Sequence, residues 1–85
     1  MKWVKKPLDS GAERWLIEGL EFLTEVVEDK EFGEKAYAVR CEGFDATGGI
    51  PDLVSAKELA VSYAKQRVVQ IMQTRLAELN ELAVG

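Results

Sequence analysis

The carboxy-terminal third of the chain constrains the fold more than any other feature. Residues 55–85 read SAKELAVSYAKQRVVQIMQTRLAELNELAVG, and their apolar residues recur at helical spacing. The segment opens with Ser55-Ala-Lys-Glu58, the S-x-x-E capping box that begins many helices. A helix over residues 56–83 would be about 42 Å long at 1.5 Å per residue. A compact chain of this size has a radius of gyration of roughly 12 Å, so the helix should be longer than the body that carries it.

The apolar stripe of this predicted helix changes character along its length. The inner half carries a broad stripe that we expect to face the core, formed by Val61, Ala64, Val68 and Ile71. Further out, the apolar residues follow the 3-4-3-4 spacing of a contact between two helices. This outer seam consists of Val69, Met72, Leu76, Leu79 and Ala83. The pattern predicts that the inner half packs on a sheet and that the outer seam is a partner interface.

The size of the chain also favours a partner. A domain of 85 residues buries only about 60–65% of the surface that its unfolded chain exposes, so its stability is marginal without an added constraint. The single cysteine, Cys41, excludes an internal disulfide, and the lack of histidine argues against a zinc site. We therefore predict no metal and no cofactor, and we expect a second protein chain, with a homodimer preferred.

The segment between Ser10 and Gly33 has two interpretations. In the first, Ser10-Gly-Ala-Glu13 is a capping box and the segment is a helix that ends at Gly33. One side of this helix would be apolar and the other acidic. The acidic side is a candidate docking face for a basic protein, formed by Glu18, Glu21, Glu25 and Glu28. In the second, the helix breaks at Gly19 and residues 20–29 form a strand, which pairs with the next strand through a turn near residues 30–34.

The remaining segments complete an α+β fold. Residues 35–44 alternate as a strand does, and the WVKK stretch near the start is a short strand ended by Pro7. Residues 45–54 are predicted to be a loop because they contain the Gly48-Gly49 pair and Pro51. We thus expect a single domain over residues 1–85. It has a small antiparallel sheet of two or three strands packed against helices, and a long C-terminal helix over about residues 55–83.

Charge is unevenly distributed along the chain, whose net charge is −4. Residues 9–34 hold nine acids and two bases, a net of −7, which opposes nucleic-acid binding there. Basic residues elsewhere define an alternative nucleic-acid face: Lys2, Lys5, Lys6, Lys57, Lys65 and Arg67. With residues 20–29 as a strand, the order α-β-β-α and the SAKELAVSYAKQ stretch resemble a double-stranded-RNA-binding domain, which implies nucleic-acid binding by the last helix. The twin lysines of that family are absent, and Glu58 stands in the motif.

The sequence favours interaction over catalysis. No histidine is present to act as a base, and Cys41 occupies an inward-facing strand position that is typical of a structural thiol. We therefore predict a non-enzymatic protein–protein interaction module that binds no small-molecule substrate. A small homodimeric regulator, adaptor or inhibitor fits, such as the accessory proteins that phages and mobile elements encode. The sequence shows no membrane span and no signal peptide, so we expect a cytoplasmic protein.

Overall fold

The computed structural model describes residues 1–29 and 35–84, and it places five strands before one helix. These elements are β1 (Lys2–Lys5), β2 (Arg14–Glu18), β3 (Thr24–Asp29), β4 (Ala36–Cys41), β5 (Thr47–Ile50) and α1 (Leu53–Val84). Every neighbouring pair of strands is antiparallel, and the order in the sheet follows the order in the chain. The predicted α+β class is confirmed, although the described sheet has five strands rather than two or three.

The helix predicted after Ser10 is wrong, because β2 and β3 occupy that segment. β-Branched residues such as Thr24 and Val26 fit an extended chain, and Gly19 adopts a φ of 103° between the two strands. The strand alternative is correct for residues 24–29, and β3 pairs with β4 as it required. The turn near residues 30–34 and the Gly33 cap lie outside the described residues.

The predicted loop over residues 45–54 also contains a strand. β5 pairs with β4 irregularly: Tyr37 is opposite Ile50, whereas Val39 is opposite Thr47. Two glycines of β5 therefore face one residue of β4, as in a β-bulge, and Gly49 has the positive φ of 72° that glycine adopts without strain. The glycine pair thus bends an edge strand of the sheet instead of preventing one. The short strand at WVKK and the strand within residues 35–44 are both confirmed.

The core lies between one face of the sheet and the inner half of α1. Its centre consists of Trp15, Val26 and Val39 from three adjacent strands and Ala56 and Ala60 from the helix. A second group continues the core toward the outer end of the helix, and it contains Phe22, Cys41 and Ala64. Cys41 is buried, as the sequence predicted, and its Sγ accepts a hydrogen bond of 3.4 Å from the Thr24 hydroxyl.

The predicted inner stripe of α1 is only partly correct. Ala64 is buried and Ile71 packs against the second core group, but Val61 and Val68 are exposed. The row of alanines at positions 56, 60 and 64 faces the sheet instead. Small side chains at this four-residue spacing let the helix lie close to the strands, so the larger valines are turned to the flank of the helix.

The helix is longer than the body, as predicted. α1 has 32 residues, which correspond to about 48 Å. The described chain measures 57 Å along its longest axis but only 20 Å and 19 Å along the other two. Its radius of gyration of 15.9 Å exceeds the roughly 12 Å of a compact chain. Ile71 is half-buried, and every residue from 72 to 83 is exposed.

The cap of α1 is Asp52 rather than Ser55. The helix begins at Leu53, and the Ser55 backbone N–H donates to Asp52 Oδ1 at 2.8 Å. The Ser55 hydroxyl donates to Asp52 Oδ2, also at 2.8 Å. These hydrogen bonds, first of all the one from the backbone, lower the pKa of Asp52 below its ordinary value of 3.8.

Removal of this cap should give a pH-dependent loss of stability. The Asp52 carboxylate is favoured in the folded state, so its contribution is fully present above pH 3.8 and is lost as the pH falls through the lower folded-state pKa. We therefore expect Asp52→Ala to lower the free energy of unfolding near neutral pH, and the difference from wild type to shrink in acid. Urea unfolding across this range measures the difference. Asp52→Asn is the control, because it keeps a capping oxygen without the titration. A difference that is independent of pH would contradict this role for the carboxylate.

Candidate interaction surface

An exposed apolar strip runs along α1. It contains most of the large apolar side chains that are exposed in the described chain, namely Val54, Val61, Val68, Val69, Met72, Leu76, Leu79 and Leu82. At 100° per residue, these positions fall within an arc of about 140° on the helix surface. The strip therefore follows one side of the helix, and it extends the predicted outer seam back to the first turn.

The outer seam is the outer part of this strip, and from Leu76 onward it projects beyond the sheet. Leu76 and Leu79 are 58% and 60% exposed, and Ala83 at the end of the seam is also exposed. Arg75 forms an ion pair of 2.6 Å with Glu21, which follows β2. Beyond this ion pair, each side chain through Ala83 is exposed. The predicted interface residues thus lie together on the surface, and their role in binding a partner stays a prediction.

A groove lies beside α1 because one helix is too narrow to cover five strands. Strands spaced by about 4.8 Å give a sheet roughly 19 Å wide between its outer strands, whereas a helix is about 10–12 Å across. α1 packs mainly on β4, with β3 and β5 on either side. The inner face is only partly covered at β1 and at the Ile17 end of β2, and the space there measures about 540 Å³. The apolar walls of this β1–β2 groove include Trp3, Ile17 and Leu20 on the sheet side and Val61, Ala64 and Val68 on α1.

The rim of the β1–β2 groove is basic. Lys2 and Lys65 both line it, one from β1 and one from α1. The Nζ of Lys57 lies 5.3 Å from the centre of the Trp3 ring and 5.8 Å from that of Trp15. These distances are those of cation–π contacts. The groove thus combines an apolar interior with positive charge at its edge.

The structure divides the predicted nucleic-acid face. Three of its six residues lie around the β1–β2 groove, namely Lys2, Lys57 and Lys65. Lys5 forms a salt bridge with Glu13, and Arg67 lies 3.9 Å from Glu42. Lys6 is exposed just after β1. The α-β-β-α order is wrong, because the strands of the described chain all precede its single helix. The architecture that resembled a double-stranded-RNA-binding domain is therefore not found, and nucleic-acid binding stays a prediction.

The four glutamates of the predicted acidic face do not share one helical side. Glu25 and Glu28 are buried, and the alternation of β3 directs them to opposite faces of the sheet. Glu18 is exposed at the end of β2, and Glu21 is exposed but paired with Arg75. Docking of a basic protein stays a prediction, and of the four residues only Glu18 and Glu21 are exposed for it.

The face of the sheet opposite α1 is polar at its centre. Glu25 is 4% exposed and lies 3.7 Å from Arg14 on β2 and 3.7 Å from Arg40 on β4. Its Oε2 atom has no hydrogen-bond partner among the described residues, so its charge is compensated mainly by the two guanidinium groups. Because this charged row crosses three strands, the apolar surface of the molecule is concentrated on the helix side.

The sequence patterns did not reveal the β1–β2 groove. One sequence signal could have indicated part of it. Trp15 and Ile17 alternate as in a strand, and a turn at Gly11 can join this strand to WVKK. In the structure, Ile17 is directly opposite Trp3 in the register of β1 and β2. A predicted hairpin of β1 and β2 would place the Trp3 and Ile17 side chains on one face of the sheet. It would not show that α1 leaves them partly uncovered.

No helix in the described part of the chain is both long and apolar enough to cross a membrane. Among the same residues, no group of three or more histidine, cysteine, aspartate or glutamate side chains is arranged to hold a metal ion. No protein-family model matches the chain, and neither a curated protein nor a solved structure matches it at a significant level.

Proposed function

We propose that the chain is a non-enzymatic protein-interaction module that works as a homodimer joined through the outer seam of α1. The observation that carries this proposal is the projection of the seam beyond the sheet with its apolar side chains exposed. Contiguous apolar surface of this kind is typical of an interaction site. A small regulator, adaptor or inhibitor that presents a paired surface to its target is the role that we assign to the dimer.

The energy available from the seam is comparable with the cost of association. Full burial of a large apolar side chain contributes about 1.5–3 kcal/mol. Four of the seam residues on each chain, Val69, Met72, Leu76 and Leu79, are about half exposed, so burying the remaining area of all eight contributes roughly 6–12 kcal/mol. Association costs about 4–15 kcal/mol in lost freedom of motion. The seam alone thus supports a dimer of modest affinity, and further contacts would strengthen it.

A second copy is the partner that the seam fits without any additional assumption. Symmetric dimers bury the same patch on both subunits, so a helix with 3-4-3-4 spacing supplies both halves of the contact. Small domains of this kind commonly gain stability from such pairing, because their own cores are small. Pairing also removes the exposed leucines of the outer seam from water.

Sedimentation velocity tests the proposal directly. We expect wild type to sediment as a dimer at micromolar concentration and Leu76→Glu/Leu79→Glu as a monomer, because each new carboxylate would be buried at the interface. Gln70→Glu/Ala77→Glu is the matched control. It adds the same charge to the same part of the helix, on the side away from the seam, and it should leave the dimer intact. A wild type that is monomeric throughout, or equal masses for wild type and the double seam variant, would rule the homodimer out.

Nucleic-acid binding is the alternative that the sequence offered. Lys2, Lys57 and Lys65 surround Trp3 at the β1–β2 groove, which combines positive charge with an aromatic ring. The net charge of −4 opposes binding to phosphates. The exposed seam has no role in this alternative, and for that reason we favour self-association.

A further inference from the structure

We infer that the two α1 helices of the dimer pair antiparallel about a twofold axis at the level of Thr74, and that the last turns of each helix dock in the β1–β2 groove of the other subunit. This inference rests on the proposed homodimer. It adds the orientation of the helices and a second contact surface.

Four of the five residues of the outer seam are spaced symmetrically about Thr74. Val69 and Leu79 lie five residues on either side of it, and Met72 and Leu76 lie two residues on either side. In an antiparallel pair with its axis at this level, Val69 therefore faces Leu79 of the partner subunit, and Met72 faces Leu76 of the partner subunit. Each of these four apolar residues then meets an apolar residue, as the knobs and holes of a helix pair require.

This register brings the end of one helix to the groove of the other. Ala83 lies nine residues after Thr74 and Lys65 lies nine residues before it, so the last turns of one helix lie beside residues 65–69 of the other. Lys65, Val68 and Val69 form the corresponding wall of the β1–β2 groove. A twofold axis perpendicular to the helix pair also places both sheets on the same side of the helices. Each helix end therefore lies over the open face of β1 and β2 in the other subunit.

The sheets leave room for this arrangement. Helices pack with their axes about 8–10 Å apart, so a second helix beside α1 lies over the strands that α1 leaves uncovered. The apolar contacts of α1 with the core extend to Ile71, which is before the level of the axis at Thr74, and at that level α1 is joined to the rest of the chain by the exposed Arg75–Glu21 ion pair. The two sheets consequently lie end to end under one layer of two helices.

Leu82 is the residue that distinguishes this docking from simple helix pairing. It is 76% exposed and lies outside the outer seam. On the helix surface it lies about 60° from Leu79, on the side that faces the sheet in the inner half of the helix. In a contact made by the seam alone, Leu82 stays in water. In the inferred dimer it enters the apolar groove between α1 and the β1–β2 hairpin of the partner.

Charge at the groove complements the end of the helix. The last turn of α1 contains no basic residue, and Glu81 lies near it. The carbonyl groups at a helix C-terminus carry a partial negative charge that nearby cations stabilise. Lys2 and Lys65 at the rim of the β1–β2 groove provide such cations across the interface. An antiparallel pair brings these groups together, whereas a parallel pair leaves them at opposite ends of the helix.

Disulfide trapping tests the orientation. We would prepare Val69→Cys and Leu79→Cys separately, each with the buried native thiol replaced by Cys41→Ala, and oxidise them mildly alone and as an equilibrated mixture. The mixture should give covalent dimers on a non-reducing gel. Each variant alone should give almost none, because equal positions are about 15 Å apart along the antiparallel pair, beyond the reach of a disulfide. Cys41→Ala alone is the background control. Covalent dimers from each variant alone, with none specific to the mixture, would show a parallel pair and overturn the inferred orientation.

A single substitution tests the docking. Leu82→Glu should weaken the dimer at least tenfold in sedimentation equilibrium, whereas Ala77→Glu, which faces away from the groove, should not change its affinity. An unchanged affinity in Leu82→Glu would overturn docking in the groove while leaving the homodimer in place. A monomeric wild type would instead remove the proposed function itself, so the two failures are distinguishable.

Discussion

Ala60→Glu is expected to prevent folding. Ala60 is 0% exposed and packs at the centre of the helix–sheet contact, in the cluster that holds Val26 and Val39. A glutamate here adds four heavy side-chain atoms and a negative charge to a site that is already fully packed. Burial of an unpaired charge costs several kcal/mol, and a domain of this kind is stabilised by only about 0.05–0.15 kcal/mol per residue. The penalty is therefore a large share of the whole free energy of unfolding.

Near-UV circular dichroism and urea unfolding measure this effect. Ala60→Glu should lose the near-UV signal of its packed aromatic residues and show no cooperative transition. Ala77→Glu is the control, because it makes the same substitution in the same helix at an exposed position, and it should unfold like wild type. A native-like spectrum and a cooperative transition in Ala60→Glu would mean that the alanine row does not face the sheet.

The long helix could be predicted because its signals are local. Periodic apolar residues and a capping group within a few positions of the true start define it without reference to the rest of the chain. Its inner face was harder to assign, because Val61 and Val68 are larger and more apolar than Ala56 and Ala60. Side-chain size favoured the valines for the core, whereas the close approach of the helix to the sheet selects the alanines.

The segment after Ser10 shows where local signals fail. Glu18 and Glu25 are seven residues apart, which matches two turns of a helix, but the same residues also fit two strands separated by a turn. The strands are selected by contacts of Trp15 with Val26 and of Val26 with Val39, across neighbouring strands. Such pairing joins distant parts of the chain, and the spacing of residues within any one segment does not reveal it.

The outer seam could be predicted from local sequence signals, whereas the β1–β2 groove could not. The seam lies on one helix, so its five positions could be identified from spacing, and the structure places all of them on the surface. The groove depends on which strands the helix covers, and that is decided by the packing of the alanine row on β4 and its neighbours. A groove that exists because the helix leaves part of the sheet uncovered can therefore be recognised only once the packing of the helix on the sheet is known.

The two tryptophans should differ strongly in their contribution to stability, and Trp15→Ala should show the larger loss. Trp15 is buried in the middle of the core, opposite Val26 in the register, and its ring meets Tyr37 edge-on at 6.0 Å between centres. Removal of a buried tryptophan side chain costs about 3–5 kcal/mol, because the lost burial is followed by a cavity that the neighbours fill only partly. Trp15 is bounded by neighbouring strands and by α1, and these elements cannot all move inward.

Trp3→Ala is the matched control for Trp15→Ala. Trp3 is only half-buried and lines the open groove, so its truncation removes less buried area and opens no closed cavity. Urea unfolding followed by far-UV circular dichroism should be measured in the Leu76→Glu/Leu79→Glu background, so that association does not contribute. Equal losses from the two substitutions would contradict the closer packing of the core and α1 around Trp15 than around Trp3. In the wild-type background, by contrast, Trp3→Ala should also weaken the dimer, because Trp3 lines the groove in which we infer that the partner helix binds.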